Sequence, residues 1–223
     1  MKLYQILAAK LTGKKVEMTQ AAFQAQSPEK QIYNPIGVKV GSSMQIDSLD
    51  TFGKNFFVEA VRATTTKVGS QEFYMGDYTL VAKPIDGPDI TIRLRVAEDK
   101  DSTCGYKAMV LTLHDSLGYD EGLHGVLKQT DDTGKFQIDH DDKPSDVFPR
   151  CGSVHGSYKA TTATIGKDEK TQNSSIEYWD FSRMMTQDGA EVEQYLFVEM
   201  NTDSGWFELW KGNEIDPQKV EAI

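Results

Sequence analysis

Two pairs of carboxylates lie among aromatic residues in the sequence, and paired carboxylates can supply general acid–base chemistry. Glu72 and Asp77 form the first pair, and Glu177 and Asp180 form the second. Carboxylates of this kind can line a sugar-binding or glycosidase-like cleft. The same pattern is typical of strands that bury an aromatic face and expose an acidic one. The four residues are therefore candidate catalytic groups, with the strand interpretation left open. The aromatic neighbours are Phe73, Tyr74, Tyr78, Tyr178, Trp179 and Phe181.

His140, Cys151 and His155 come nearest to a set of metal ligands. Cys151 and His155 are four residues apart, and His140 lies in the acidic stretch 139–142. A zinc or iron site needs three or four converging ligands, and this spacing matches no recognised framework. The acidic stretch also departs from the pattern of an EF-hand loop. The sequence therefore predicts no metal and no cofactor.

Signals for nucleophilic catalysis and for phosphate binding are lacking. The G-x-S-x-G elbow of the α/β-hydrolases does not occur. Gly118, Gly122 and Gly125 are spaced as G-x3-G-x2-G, which differs from the dinucleotide-binding pattern. These absences favour a non-catalytic protein.

An aromatic run, 205–210, lies near the C-terminus (Gly-Trp-Phe-Glu-Leu-Trp). As a strand it would place Trp206 and Trp210 on one face and Phe207 and Leu209 on the other. A strand of this kind suits the centre of a core that is covered on both sides. With one face exposed, it would form a patch for a partner, so Trp206 and Trp210 are candidate binding residues.

Charge is unevenly distributed along the 223 residues. The formal net charge is −10, but residues 1–16 contain four lysines and no acid. The acidic remainder repels phosphate backbones, so we expect no nucleic-acid binding. The basic start is the part of the chain that suits an anionic partner, and Lys10 and Lys14 are its candidate binding residues.

The cysteine content and the hydropathy pattern both bear on the cellular compartment. Two isolated cysteines, Cys104 and Cys151, do not make a disulfide framework and fit a reducing compartment. No apolar run reaches the roughly 18 residues of a transmembrane helix. Residues 3–9 lack the features of a secretory signal peptide. We therefore expect a cytoplasmic location.

Hydrophobic periodicity predicts a short helical start followed by strands. Apolar residues share one face of a helix predicted over 2–11, and residues 12–34 are interpreted as a linker. From residue 36 the period changes to two, most clearly over 89–97. Residues 116–128 predict either a glycine-broken helix or a long loop. Further strands are predicted over 36–46, 55–64, 72–81, 106–113, 135–139, 157–165, 176–183, 193–200 and 205–211.

An internal repeat is the most informative feature of the sequence. Residues 86–102 and 188–204 align without a gap, and both begin with Asp-Gly and end with Asp-Ser. Upstream, the Ala-Thr-Thr run 63–65 resembles the run 160–162 in the same order. Similar turns and strands recur in any antiparallel protein, which is the alternative explanation. We predict a repeat that covers approximately 60–113 and 157–212.

These patterns together predict a mainly β protein. Residues 35–223 are expected to form one domain, in which antiparallel sheets build a sandwich or barrel-like core from two similar tandem halves. Residues 1–34 are expected to form a basic helical segment and linker. The predicted function is that of a non-catalytic cytoplasmic binding or assembly protein with a protein partner. Weak peripheral membrane contact through the N-terminal helix is a further expectation. The alternative is a hydrolase that uses acidic residues, with or without a metal ion.

Overall fold

The computed structural model describes residues 33–47, 55–84, 87–99, 102, 104–151, 156–187 and 189–223. The predicted helix over 2–11, most of the linker that follows it, and the candidate residues Lys10, Lys14 and His155 lie outside this set. Their predicted roles therefore stay predictions.

Strands dominate the described residues, as the period-two pattern predicts. The strands are β1 (Ser43–Ile46), β2 (Asn55–Val68), β3 (Gln71–Ala82), β4 (Ile90–Glu98), β5 (Tyr106–Leu117), β6 (Lys135–Ile138), β7 (Asp146–Pro149), β8 (Tyr158–Ile165), β9 (Thr171–Gln187), β10 (Ala190–Asn201), β11 (Phe207–Ile215) and β12 (Val220–Ala222). In the part of the chain that the structure describes, the helical elements are α1 (Leu123–Thr133) and two short 3-10 turns, Tyr119–Glu121 and Pro217–Lys219.

Eight strands form a closed antiparallel barrel. The meanders β2–β5 and β8–β11 lie side by side because β5 pairs with β11 and β2 pairs with β8. The β2–β8 pairing runs from Val61 opposite Ile165 to Thr66 opposite Ala160, and it closes the ring. β1 and β12 extend the sheet beside the start of β2, and β6 and β7 form a separate hairpin. The mainly β prediction is confirmed, and the barrel is the architecture observed.

Side-chain alternation separates an interior from two covered outer faces. One buried cluster draws residues from strands all around the barrel, including Met109, Phe197 and Trp210, so it lies inside. A second cluster, with Tyr78 and Leu94, lies on the outer face of β2–β5. A third cluster lies on the outer face of β9–β11. The barrel strands are therefore apolar on both faces over much of their length.

A different segment covers each outer face. Residues 33–46 lie over β2–β5 and bury Tyr33 and Met44 there. α1 and the β6–β7 hairpin cover β9–β11, where Leu127 and Phe148 are fully buried. Removal of this apolar surface from water holds the covers in place.

Residues 116–128, for which the sequence leaves a helix or a loop open, contain the end of β5, a 3-10 turn and the start of α1. Gly122 precedes it with φ 84°, and Gly134 ends it with φ 65° and an amide that donates to the Thr130 carbonyl. Both positions have left-handed φ values, which glycine adopts without steric cost.

Within the described part of the chain, no helix has the length and apolarity needed to cross a membrane.

The predicted strand over 36–46 is too long. β1 begins only at Ser43, because Gly37 and Gly41 have φ values of 77° and 84° and turn the chain before it. The sequence patterns do not predict β7 or β12, which have four and three residues.

The two meanders place the aligned sequence segments in corresponding elements. Residues 86–102 contain β4 and residues 188–204 contain β10, which are the third strands of their meanders. The two Ala-Thr-Thr runs lie in the first strands, β2 and β8, which pair with each other. That the two halves arose by duplication of one sequence stays a prediction.

Gly212 is expected to be essential for the pairing of β11 with β5. A Cβ atom at this position would overlap the backbone carbonyl of Val110. We expect Gly212→Ala to lower the free energy of unfolding by about 2 kcal/mol or more, because the strand backbones must separate. The control is Gly125→Ala at an exposed position of α1, where a Cβ atom would meet nothing within 4 Å. Urea denaturation should show the control unchanged or slightly stabilised, and equal stability of both variants would contradict the prediction.

Candidate functional site

A cluster of five charged side chains occupies the barrel interior. Arg62 on β2, Asp77 on β3, and Arg93 and Arg95 on β4 point inward, and Glu199 reaches them from β10 on the opposite wall. The strand registers place Asp77 between Arg62 and Arg95. Arg62 is 16% exposed at its side chain, and the other four are buried. We call these residues the interior ion cluster.

Each carboxylate of the interior ion cluster joins several arginines. Arg95 donates to Asp77 in a two-point arrangement, with Nε–Oδ1 at 2.7 Å and Nη2–Oδ2 at 3.0 Å. Arg62 bridges the carboxylates, with Nε 2.9 Å from Asp77 Oδ2 and Nη2 2.8 Å from Glu199 Oε2. Arg93 Nη1 lies 2.9 Å from Glu199 Oε2, and Arg95 also donates to Glu199. Planar guanidinium groups suit such multiple contacts.

The arginines keep both carboxylates ionised at neutral pH. Burial raises the pKa of Asp77, but Arg95 and Arg62 outweigh it and lower that pKa to about 2. Burial also opposes ionisation of Glu199, and Arg62, Arg93 and Arg95 hold its pKa well below the usual range. A carboxylate held in this state has little tendency to accept and return a proton near pH 7.

Aromatic rings and a second glutamate complete the surroundings of the arginines. The Arg93 guanidinium lies 3.6 Å from the centroid of the Trp210 ring, and Arg95 lies 4.4 Å from that of Phe197. Glu208 accepts from Arg93 Nη2 at 3.0 Å and from the Trp210 indole at 2.8 Å. Glu208 is 44% exposed at its side chain, so the cluster approaches solvent on this side.

The structure divides the four candidate catalytic carboxylates between two faces. Asp77 and Asp180 point into the barrel, whereas Glu72 and Glu177 lie at alternate positions on the outside. Glu72 is exposed and pairs with Lys67 at 3.0 Å. Glu177 accepts from Ser157 at 2.9 Å. The four therefore do not converge on one cleft, and their catalytic role stays a prediction.

Asp180 is buried in a different electrostatic environment from Asp77. Neither of its carboxylate oxygens has a hydrogen-bond partner within the described residues, and the same holds for the nearby Tyr158 hydroxyl. Burial raises the pKa of Asp180 to about 6, against the opposing effect of Arg150. Asp180 therefore changes charge near neutral pH, inside the barrel.

The candidate metal ligands are not assembled into a metal site. His140 Nε2 lies 3.3 Å from Asp146, but Arg183 and Lys211 also bind this carboxylate at 2.6 and 2.8 Å. Two cations beside Asp146 would repel a metal ion. Cys151 is buried, and its amide donates to the Asp180 carbonyl at 3.1 Å. Across the residues that the structure describes, no group of three His, Cys, Asp or Glu side chains could hold a metal ion.

The two candidate tryptophans lie in different environments. Trp210 is buried in the interior, beneath Arg93. Trp206 precedes β11 and is 54% exposed, so it alone is accessible to a partner. β11 alternates regularly from Phe207 to Trp210, and the register shift opposite Leu209 and Trp210 comes from an extra residue on β5, so Trp206 differs because it lies before the strand begins. Sequence alternation therefore did not place both rings on one accessible face.

Trp206 belongs to a group of exposed hydrophobic side chains at one end of the barrel. Phe57 near the start of β2, Leu113 toward the end of β5, and Tyr119 just after β5 lie at this end with it, each about half exposed. Tyr119 stacks on Phe207, with ring centroids 6.4 Å apart. We call Phe57, Leu113, Tyr119 and Trp206 the barrel rim.

Sequence reasoning missed the interior ion cluster as a unit. Arg93 and Arg95 alternate with apolar residues on β4, a pattern that suits a solvent-facing side equally well. Arg62 and Glu199 lie 137 residues apart, and no local pattern links them.

Comparisons with protein-family models, curated proteins and solved structures gave no match for this chain.

Glu199 is expected to be the most sensitive member of the interior ion cluster. Glu199→Gln keeps the shape of the side chain but leaves three buried arginines with Asp77 as their remaining fully buried carboxylate. We expect the free energy of unfolding to fall by about 3 kcal/mol or more. Urea denaturation at neutral pH measures this, and Glu72→Gln in an exposed pair is the matched control, with no measurable change expected. Equal stability of the two variants would show that the cluster is energetically unimportant.

Asp180 is expected to make stability depend on pH. The pKa of Asp180 is higher in the folded protein than in the unfolded chain. Protonated Asp180 therefore contributes to the free energy of unfolding at low pH, and this contribution is lost as the pH rises through about 6. Asp180→Asn cannot ionise. The stability of this variant relative to the parent should rise by on the order of 2–3 kcal/mol between about pH 4 and pH 7.5. Denaturant titrations across this range test the prediction, and a difference that is constant with pH would refute it.

Proposed function

We propose that this protein is a non-catalytic binding protein whose barrel rim docks a basic segment of a partner protein. The observation that carries the proposal is the exposure of Trp206 and Tyr119 at one end of the barrel beside several carboxylates. Exposed aromatic side chains with a charged surround are typical of protein-binding surfaces.

The charge around the barrel rim defines the chemistry of the partner. Asp120 and Glu121 follow Tyr119 directly, Asp203 lies in the turn before Trp206, and Glu208 follows it. Segments 113–123 and 201–208 contain no lysine or arginine. An arginine or lysine side chain could therefore stack on the rings while it pairs with a carboxylate. The net charge of −10 would also attract a basic partner over longer distances.

The closed barrel supports this role because it provides a rigid platform. Tyr119 rests on buried Phe207, which belongs to the cluster beneath α1. An anchored aromatic residue loses little conformational entropy when it binds a partner. The partner would thus meet a surface that is already in its binding geometry.

The hydrolase alternative has less support from the geometry. It requires carboxylates that converge on an accessible cleft, whereas Asp77 is held by arginines and Glu72 and Glu177 lie outside the barrel. Asp180 is the candidate with a pKa near neutrality, but it is fully enclosed.

A cytoplasmic location and the absence of nucleic-acid binding remain part of the proposal. The cysteine content supports the location, and the acidic net charge opposes binding to nucleic acid.

An oligoarginine peptide of about nine residues is a direct probe of the barrel rim. We expect the full-length protein to bind it, and Trp206→Ala to weaken binding about five-fold, which corresponds to about 1 kcal/mol for one cation–π contact. Fluorescence anisotropy of the labelled peptide measures the affinity. An oligoglutamate peptide should not bind.

The matched control is Val147→Ala, which shortens an exposed hydrophobic side chain on β7, away from the barrel rim. We expect its affinity for oligoarginine to equal that of the parent. If Trp206→Ala and Val147→Ala bind the peptide equally well, binding is a general effect of net charge and the proposal fails.

A further inference from the structure

A groove with a volume of about 510 Å³ crosses the outside of the barrel where β2 meets β8. This volume lies within the range of small-molecule binding sites. Its floor is the outer face of β3, β2, β8 and β9. Neither of the segments that cover the other outer faces fills it, and Tyr33 and Asp203 are among the residues that line it.

Two cross-strand rows of residues form this floor. In the first row, Tyr74 faces Thr65, Thr65 faces Thr161, and Thr161 faces Ser175. Four adjacent strands span about 14 Å, enough for one or two sugar rings. The second row has smaller side chains: Ala63 faces Ala163, and Ala163 faces Asn173. The first row therefore offers hydroxyl groups along its length, and the smaller side chains of the second row leave room for a ligand above the sheet.

The lining combines aromatic rings with uncharged polar groups. Tyr33 and Tyr74 lie at one end of the groove, with ring centroids 6.0 Å apart. The side chains of Thr65, Thr161 and Asn173 make no hydrogen bond to any other described residue, so their donors and acceptors are available to a ligand.

Charge restricts the class of ligand. Among the described residues of the lining, Asp203 is the one that is formally charged, and it is acidic. Phosphates, nucleotides and carboxylates would be repelled, and the described lining residues include no lysine or arginine that could bind them. A purely apolar ligand would leave the hydroxyl and amide groups without partners. A molecule with apolar ring faces and hydroxyl edges matches both features.

We propose that this groove is a binding site for a neutral saccharide. A sugar ring packs against Tyr74, and its hydroxyl groups exchange hydrogen bonds with Thr65, Thr161 and Asn173. Asp203 accepts a hydrogen bond from a sugar hydroxyl at the other end. Asp203 also belongs to the acidic surround of the barrel rim, but the groove shares none of the four rim residues and does not depend on the partner proposed there.

Saccharide titrations of the full-length protein test the proposal. The probes are glucose, maltose and N-acetylglucosamine, and amide chemical shifts in NMR spectra are the readout. We expect saturable shifts of groove residues with a Kd of about 1 mM or tighter for at least one sugar. Absence of saturable shifts at these residues for all three sugars would overturn the proposal.

Conservative variants connect the binding to the groove. Thr161→Val removes a hydroxyl and keeps the branched shape, and Asn173→Ala removes the amide. Each should weaken saccharide binding at least five-fold, whereas Gln129→Ala, which removes an exposed amide on α1, should not. Affinity unchanged in both groove variants would overturn the proposal. Trp206→Ala should bind the saccharide as the parent does, so failure at the barrel rim and failure at the groove are distinguishable.

Discussion

The compensation of charge inside a closed sheet is the constraint on which this structure depends. Removing Arg62, Arg93, Arg95, Asp77 and Glu199 from water is costly unless each charge meets its counterparts in good geometry. Asp77 meets its arginines on the neighbouring strands, whereas Glu199 lies on the opposite wall of the barrel, so the ion pairs require β2–β4 and β10 to be in register together. Ring closure through β2 and β8 fixes this arrangement, and the interior ion cluster in turn selects one register of the strands.

The same closure decides which surfaces are left for binding. Residues 33–46 cover one outer face, and α1 with the β6–β7 hairpin covers another. The barrel rim and the groove over the β2–β8 pairing are faces that these segments leave accessible. One is aromatic and acidic, and the other is rich in hydroxyl groups. Their different chemistry supports different ligands on one rigid framework.

Strand positions could be predicted from sequence, but the direction of functional side chains could not. β4 and β10 appear where alternation predicts them, within a few residues. Glu72 and Asp77 are close together in the sequence, which suggests a pair of catalytic carboxylates. They are an odd number of residues apart on β3, so their side chains lie on opposite faces of the sheet. Trp206 and Trp210 were expected to share a face, but β11 begins after Trp206, so Trp210 lies inside the barrel while Trp206 is exposed at its end. The residue at which a strand begins, and therefore how deep a side chain lies in the barrel, leaves no reliable local signal.

The sequence by itself determined the class of fold, the order of most strands and the acidic character of the chain. These properties depend on local alternation, turn residues and summed charge, which act over a few residues or over the whole chain at once. Only the tertiary structure decided that Arg62 meets Glu199, that Asp180 is enclosed, and that Trp206 is accessible while Trp210 is not. Such contacts join distant parts of the chain, and they exist only after the sheet has closed and divided the side chains between its inside and its outside.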